Sequence, residues 1–294
     1  MDFNEYQDQA KTTIQKYHLD ESINGVIPFL GIVGEAGSVL TELKKKIRDG
    51  ESYTSFKERL IEELGDVLWY VSAIATQNNI ELEKVASFNL EKTNDRFNED
   101  DPKSFKNYDK QYPEHERFPG EFEVEFKPVE ENGKKTVQII DKRDGELLGD
   151  PLTDNSYEDD GYRFHDIFHY GYLAYLGWSP VIRKLMKLKR KSEEEVDENE
   201  DGARAQITEE LVSLFIYNHA QDHQLLKYSK SVDTDVLKIV KQLVSQIEVK
   251  DCSAKQWEIA ILSSYRVFNL LRQNNGGRVL VSLKNRELIY IGKN

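Results

Sequence analysis

The sequence predicts a mainly α fold, a helical bundle with small β hairpins, and three features of the sequence carry this prediction. Apolar residues recur every three or four positions through residues 4–97 and again from residue 162, as on helices with one buried face. Alternating apolar residues near 122–140 and at the C-terminus predict hairpins. With 294 residues, the chain is long enough to bury a core in one or two domains.

The apolar spacing places individual helices. In the N-terminal part it predicts helices over residues 4–18, 26–48, 53–78 and 81–96. After a segment rich in Pro, Gly, Asp and Asn, it predicts helices over 162–176, 179–189, 203–221, 233–247 and 254–274. We therefore expect a helical domain at 1–98, a linker with one hairpin at 99–160, and a second helical domain with a C-terminal hairpin at 161–294.

Each predicted hairpin has a turn signal between its strands. Asn132-Gly133 follows the apolar alternation of residues 122–126 and precedes that of 136–140. Asn-Gly is favoured where a tight turn needs positive φ. The C-terminal hairpin is expected to turn at Lys284-Asn285.

A short internal similarity suggests two related helical halves. Residues 61–70 (IEELGDVLWY) align without gaps on residues 208–217 (TEELVSLFIY). Amphipathic helices can also match this well by chance, and Ser213 stands where the first copy has Asp66. If the halves are related, we expect an internal pseudo-dimer; the alternative is a homo-oligomer of separate chains.

Charge and cysteine content restrict the classes of function. A formal net charge of -13 disfavours a nucleic-acid partner, because duplex binding needs Lys and Arg to replace counterions on the phosphates. Cys252 is the only cysteine, which excludes an intramolecular disulfide and fits a cytoplasmic location. We expect no membrane association, because no stretch reaches the roughly 20 apolar residues that span a bilayer.

Acidic residues of the second and third predicted helices form a candidate metal site. Glu35, Ser38 and Glu42 share one helix face by their spacing, and so do Glu63 and Asp66. Antiparallel packing would bring the two faces together. Close carboxylates repel unless a cation neutralises them, and Mg²⁺ prefers oxygen ligands and often holds substrate phosphates. The alternative is a set of exposed ion pairs.

The motifs Gly34-Glu-Ala-Gly37 and Glu62-Glu-Leu-Gly-Asp-Val-Leu-Trp69 resemble those of the MazG-like, all-α nucleoside triphosphate pyrophosphohydrolase superfamily. The resemblance covers residues 25–97. It implies an E-x-x-E motif and an E-x-x-D motif whose four acids hold Mg²⁺, or Mn²⁺ in its place, on a helical bundle. It also implies that an NTP or dNTP is split into the monophosphate and pyrophosphate.

Transferred position by position, the resemblance implies that Glu35, Glu63 and Asp66 are metal ligands. It leaves Glu62 or Glu63 as the residue that activates the attacking water. Ser38 stands where the family has the fourth acid, which removes one ligand. Either Glu42, one turn later, or a water molecule could fill that position. The alternative function is a nucleotide-binding sensor without turnover.

Two sets of residues are candidates for binding the triphosphate. One lies on a face of the helix over 81–96 and contains Asn89, Lys92 and Arg96. The other ends a basic run over 183–191 and contains Lys189, Arg190 and Lys191. For both sets the alternative is a solvated charged surface.

The C-terminal half has its own candidate residues. His165, Asp166 and His169 are predicted to take the place of the first acidic motif in a diverged second half, facing Glu209 and Glu210. An alternative pairs the two His with a second pair one turn apart, as a four-His zinc site. That second pair is His219 and His223.

Overall fold

The computed structural model describes residues 1–15, 20–97, 106–131 and 133–293. Within them the chain forms two units, Met1–Asn94 and Asp95–Asn294. Both units are built mainly from helices, and the second also contains a β sheet, so the predicted mainly α class is confirmed. The predicted boundary at 98/99 falls in residues 98–105, outside the described residues.

The first unit is a long helical hairpin flanked by two shorter helices. Its elements are α1 (Phe3–Lys11), α2 (Glu21–Asp49), α3 (Phe56–Gln77) and α4 (Leu82–Phe97), and α4 continues into the second unit from Asp95. The Gln7 side chain of α1 joins it to the turn between α3 and α4, because it donates to the Ile80 carbonyl and accepts from the Leu82 N–H. The last three of these helices agree with prediction to within a few residues.

The first helix is shorter than predicted. It ends at Lys11, where the hydroxyl groups of Thr12 and Thr13 donate to carbonyls of the last turn. Such side-chain hydrogen bonds compete with continued helix. The prediction of helix is therefore wrong for residues 12–15, and residues 16–19 lie outside the described residues.

The expectation that no stretch is long and apolar enough to span a bilayer is wrong for helix α2. The segment Ile23–Ser52 is long and apolar enough to cross a membrane by length and composition, the single such helix in the described part of the chain. This is weak evidence for a membrane span, because core helices of soluble proteins pass the same test. The cytoplasmic location stays a prediction.

Close packing of α2 on α3 depends on Gly31. A Cβ atom at this position would lie 2.1 Å from Cε1 of Tyr70. We therefore expect Gly31→Ala to lower the free energy of unfolding by about 1–3 kcal/mol, as overpacked sites do. Gly34 is the matched control, because a Cβ there meets nothing within 4 Å. Gly34→Ala should stabilise the helix by up to about 1 kcal/mol. Urea unfolding compares the stabilities of the Gly31→Ala and Gly34→Ala variants. Equal stabilities would contradict the close packing of Gly31 on Tyr70.

The second unit is built around α5, which is mostly apolar apart from His169 and is buried along nearly its whole length. Its helices are α5 (Ile167–Leu176), α6 (Pro180–Leu185), α7 (Glu194–Asn199), α8 (Ala203–Gln221), α9 (Thr234–Leu243) and α10 (Ala254–Asn274). The predicted bounds of α8 and α10 are confirmed. Helices α5, α6 and α9 are shorter than predicted, and α5 begins at Ile167 after a separate 3₁₀ turn over Tyr162–Phe164. Helix α7 lies in an acidic run where no helix was predicted.

The two predicted hairpins form one sheet. They consist of β1 (Glu121–Glu131) with β2 (Lys134–Asp141), and of β3 (Gly277–Ser282) with β4 (Glu287–Gly292). The antiparallel strand order is β2-β1-β3-β4, and Phe122 of β1 pairs with Val281 of β3. Val124, Phe126 and Val279 from the paired central strands are fully buried. The hairpin assigned to the linker is thus part of the second unit's core; its Asn132 lies outside the described residues.

Candidate functional site

Helices α2 and α3 bring three acidic side chains together. One carboxylate oxygen from each of Glu35, Glu63 and Asp66, here called the three-acid group, lies within 4.8 Å of the others. Glu35 and Glu63 are partly buried and Asp66 is exposed, so the group is open to solvent. Three carboxylates this close suit a hard divalent cation, which would offset their mutual repulsion.

The register of the α2–α3 hairpin positions the group. Gly31 of α2 lies against Tyr70 of α3. Four residues later on α2, Glu35 lies close to Asp66, which is four residues earlier on α3. Residues four apart share a helix face, so the close approach at Gly31 and the meeting of the acids belong to one antiparallel interface.

Two other acids of these helices have different partners. Glu62 accepts a hydrogen bond from Arg59 at 2.7 Å on the exposed side of α3. Glu42 is buried and accepts hydrogen bonds from Lys45 and from the Tyr53 hydroxyl, which hold its pKa below the usual value. The expectation that Glu42 replaces the acid missing at Ser38 is therefore corrected, because its carboxylate is already occupied.

Tyr6 of α1 is a neighbour of the group that the sequence did not indicate. Partial burial, and then the Asp66 carboxylate, raise the pKa of its phenol. The phenol is therefore neutral at physiological pH. No motif marks this residue, because its position depends on how α1 packs on α3.

Two of the predicted phosphate ligands have structural roles instead. Arg96 is buried, forms an ion pair with Glu258 at 2.8 Å and donates to a backbone carbonyl. Arg190 is 1% exposed and forms ion pairs with Asp201 at 2.6 Å and Glu248 at 2.8 Å. The phosphate prediction is wrong for both arginines, because their guanidinium groups are buried and already paired with carboxylates.

The remaining phosphate candidates are accessible. Asn89 and Lys92 are exposed on α4 of the first unit. In the second unit, Lys191 is exposed and Lys189 forms an ion pair with Asp197. Their binding of phosphate stays a prediction.

The second unit contains a group with histidines. Ligand atoms of His165, Asp166 and His169 lie within 4.8 Å of one another, and all three residues are buried. His169 contacts Glu209 through Nδ1 at 2.8 Å and Glu210 through Nε2 at 3.5 Å. Burial lowers the pKa of His169, but the carboxylates of Glu209 and Glu210 outweigh burial and raise it well above the usual value.

The four-His alternative is wrong. The rings of His219 and His223 stack on each other with centroids 4.2 Å apart near the exposed end of α8. Neither ring joins a metal-ligating group among the described residues. The two histidine pairs are therefore separate features of the second unit.

Two family models match the chain. The model described as the MazG nucleotide pyrophosphohydrolase domain matches residues 29–99, which include the three-acid group. The model described as the MazG C-terminal domain matches residues 103–294. The Gene 37 protein of Mycobacterium phage L5 is 41% identical over 69 residues, which are 23% of this chain and 60% of that protein. No solved structure gives a significant match.

Proposed function

We propose that this chain, which belongs to the MazG nucleotide pyrophosphohydrolase family, hydrolyses a nucleoside or deoxynucleoside triphosphate to the monophosphate and pyrophosphate with Mg²⁺. The observation that carries the proposal is the three-acid group, whose oxygens lie within 4.8 Å of one another. Its three members come from two packed helices and lie inside the segment that the pyrophosphohydrolase model matches.

The donors of the three-acid group fit Mg²⁺. The group offers only carboxylate oxygens, which Mg²⁺ and Mn²⁺ prefer to the nitrogen and sulfur ligands of softer metals. Because Asp66 is exposed, water and phosphate oxygens can reach the remaining coordination positions. When bound, the ion would neutralise charge on the phosphate oxygens.

Different residues of the chain are proposed to bind the metal ion, activate the attacking water and contact the triphosphate. Glu35, Glu63 and Asp66 would hold the ion, and Glu62 or Glu63 would remove a proton from the attacking water. Glu62 suits the second role because its side chain is 58% exposed and it is adjacent in sequence to Glu63. Asn89 and Lys92, exposed on α4, are proposed to contact the triphosphate.

The assay uses the full chain with Mg²⁺ and a panel of NTPs and dNTPs, and measures both monophosphate and pyrophosphate. We expect equimolar products that disappear with EDTA and return with Mg²⁺ or Mn²⁺. Tight nucleotide binding without product would instead support the sensor function, which Ser38 at the fourth acidic position favours. If the chain neither binds a nucleotide nor forms product, both the hydrolase function and the sensor function are contradicted.

We also propose that a second copy of the chain packs against α2. Val33, Leu40 and Ile47 are spaced seven residues apart and are 71%, 59% and 75% exposed. Seven-residue spacing of apolar side chains is how paired helices meet. We expect a dimer in light scattering, converted to a monomer by Leu40→Glu with Ile47→Glu but not by Lys44→Glu. A wild-type monomer at all concentrations would contradict this.

A further inference from the structure

We infer that the second unit binds a transition-metal dication, with Zn²⁺ as its probe, between α5 and α8 through His165, Asp166, His169 and Glu210. This site is additional to the proposed function, because none of its residues belongs to the three-acid group. Its donor set is two imidazole nitrogens and two carboxylates. That set suits Zn²⁺ and related ions, whereas Mg²⁺ prefers oxygen ligands alone.

Two distances within the cluster are close to the spacing of ligand atoms around a tetrahedral ion. Zn²⁺ bonds to nitrogen and oxygen ligands are about 2.0–2.2 Å long, so neighbouring ligand atoms around a tetrahedral ion lie about 3.3–3.6 Å apart. His165 Nε2 lies 3.2 Å from Asp166 Oδ1, and His169 Nε2 lies 3.5 Å from Glu210 Oε2. Both separations are longer than a good charge-assisted hydrogen bond of about 2.8 Å.

Both imidazole rings are oriented for metal binding through Nε2. His165 Nδ1 lies 2.9 Å from the Tyr162 carbonyl, which can only accept, so this nitrogen carries the proton. The Tyr162 ring also stacks on the His165 ring, with centroids 4.3 Å apart and planes 3° apart. His169 Nδ1 donates to Glu209 Oε1 at 2.8 Å. Metal-binding histidines in proteins usually make such a second hydrogen bond.

Glu209 is held as a supporting carboxylate and not as a ligand. It is fully buried, and it accepts hydrogen bonds from the Ser179 hydroxyl at 2.6 Å and the Val181 N–H at 2.8 Å, in addition to His169. These bonds occupy both of its oxygens. Its role is to orient the His169 ring and increase the basicity of Nε2.

An unpartnered atom points independently to a ligand. His169 is 0% exposed, and its Nε2 makes no hydrogen bond among the described residues; the Glu210 carboxylate, 3.5 Å away, forms only a long ion pair with it. A buried polar atom without a partner is costly, and a metal ion would remove that cost. The side chain of Glu210 is 48% exposed, which gives an ion a path from solvent.

The test uses the full chain with Glu63→Gln and Asp66→Asn, so that its result does not depend on the three-acid group. The protein is stripped with a chelator, loaded with Zn²⁺, dialysed and measured by elemental analysis. We expect one zinc per chain and a higher melting temperature with zinc. Loading with Co²⁺ should give visible absorption typical of tetrahedral coordination.

Further substitutions in this background locate the ion. Glu210→Gln and His165→Gln should each weaken Zn²⁺ binding at least about 10-fold. The matched control, His219→Gln with His223→Gln, should bind zinc unchanged because that pair lies outside the cluster. Glu210 is half exposed, so its variant is expected to fold, and circular dichroism checks this.

Two results would overturn the inference. One is that the stripped Glu63→Gln/Asp66→Asn protein retains no zinc. The other is that folded Glu210→Gln and His165→Gln both bind zinc as tightly as their parent. Either would identify the cluster as an ion pair between protonated His169 and its two carboxylates. Neither result bears on nucleotide hydrolysis by the wild-type chain.

Discussion

Glu63→Gln and Asp66→Asn are each expected to reduce nucleotide hydrolysis by about 10²–10³-fold, the usual loss when a group that stabilises transition-state charge is removed. Each substitution keeps the shape of the side chain and removes one negative charge from the three-acid group. The group then holds a divalent cation less tightly. Because both residues are partly or fully exposed, we expect stability to change by no more than about 0.5 kcal/mol.

The measurement is steady-state pyrophosphate release over a range of Mg²⁺ concentrations, with metal binding followed by calorimetry. Glu58→Gln is the matched control, because Glu58 is exposed on α3 outside the three-acid group and should retain full activity. Glu62→Gln should slow turnover without weakening metal binding if Glu62 is the base. Wild-type rates in either Glu63→Gln or Asp66→Asn would remove that residue from the site.

Arg190→Ala is expected to lower the free energy of unfolding by about 3–5 kcal/mol, the usual cost of removing one partner from a buried ion pair. Asp201 is 0% exposed and accepts hydrogen bonds from both the backbone and the guanidinium group of Arg190. Glu248 is mostly buried and pairs with the same guanidinium. The substitution leaves both carboxylates short of positive charge.

The loss of stability caused by Arg190→Ala should depend on pH. Burial already raises the pKa of Glu248, and the Arg190 charge opposes that rise. Without Arg190 its pKa in the folded state rises further above the unfolded value. Protonation of Glu248 then stabilises the folded state at low pH. This stabilisation is lost as the pH rises through the raised pKa of Glu248. Arg190→Ala should therefore be less destabilising near pH 4.5 than at pH 7.

Urea unfolding at both pH values measures this difference. Lys191→Ala, the neighbouring and exposed residue, is the control and should change stability by no more than about 0.5 kcal/mol. If Arg190→Ala proved as mild as Lys191→Ala at pH 7, the structural role assigned to Arg190 would be wrong.

Much of the fold was predictable because its signals are local. The bounds of α8 and α10 follow from apolar residues that recur with the helical period. Both hairpins follow from alternating residues around a turn. The prediction for the first helix extends past Lys11, where the helix ends. Its periodic signal is weak there, and the side-chain hydrogen bonds that end the helix compete with continued helix.

The acids of the candidate site were also predictable from local signals, but their neighbours were not. Glu63 and Asp66 lie three residues apart, so any helix places them on one face. Their meeting with Glu35 required only that two consecutive helices pack antiparallel. Tyr6 and the occupied state of Glu42 were not predictable, because their contacts depend on the packing of α1 and on the turn after α2.

By itself, the sequence determined which segments become helix or strand and which acids share a helix face, because both depend on neighbours within a few residues. Only the tertiary structure decided which charges are buried and which strands of the two hairpins pair. In the sequence, Arg190 and Lys191 are equivalent members of a basic run, yet Arg190 meets a carboxylate on Glu248, far along the chain. Likewise, His169 acquires its partners on α8 only when α5 is buried beside it. Such pairs depend on burial and distance in space, which periodicity does not encode.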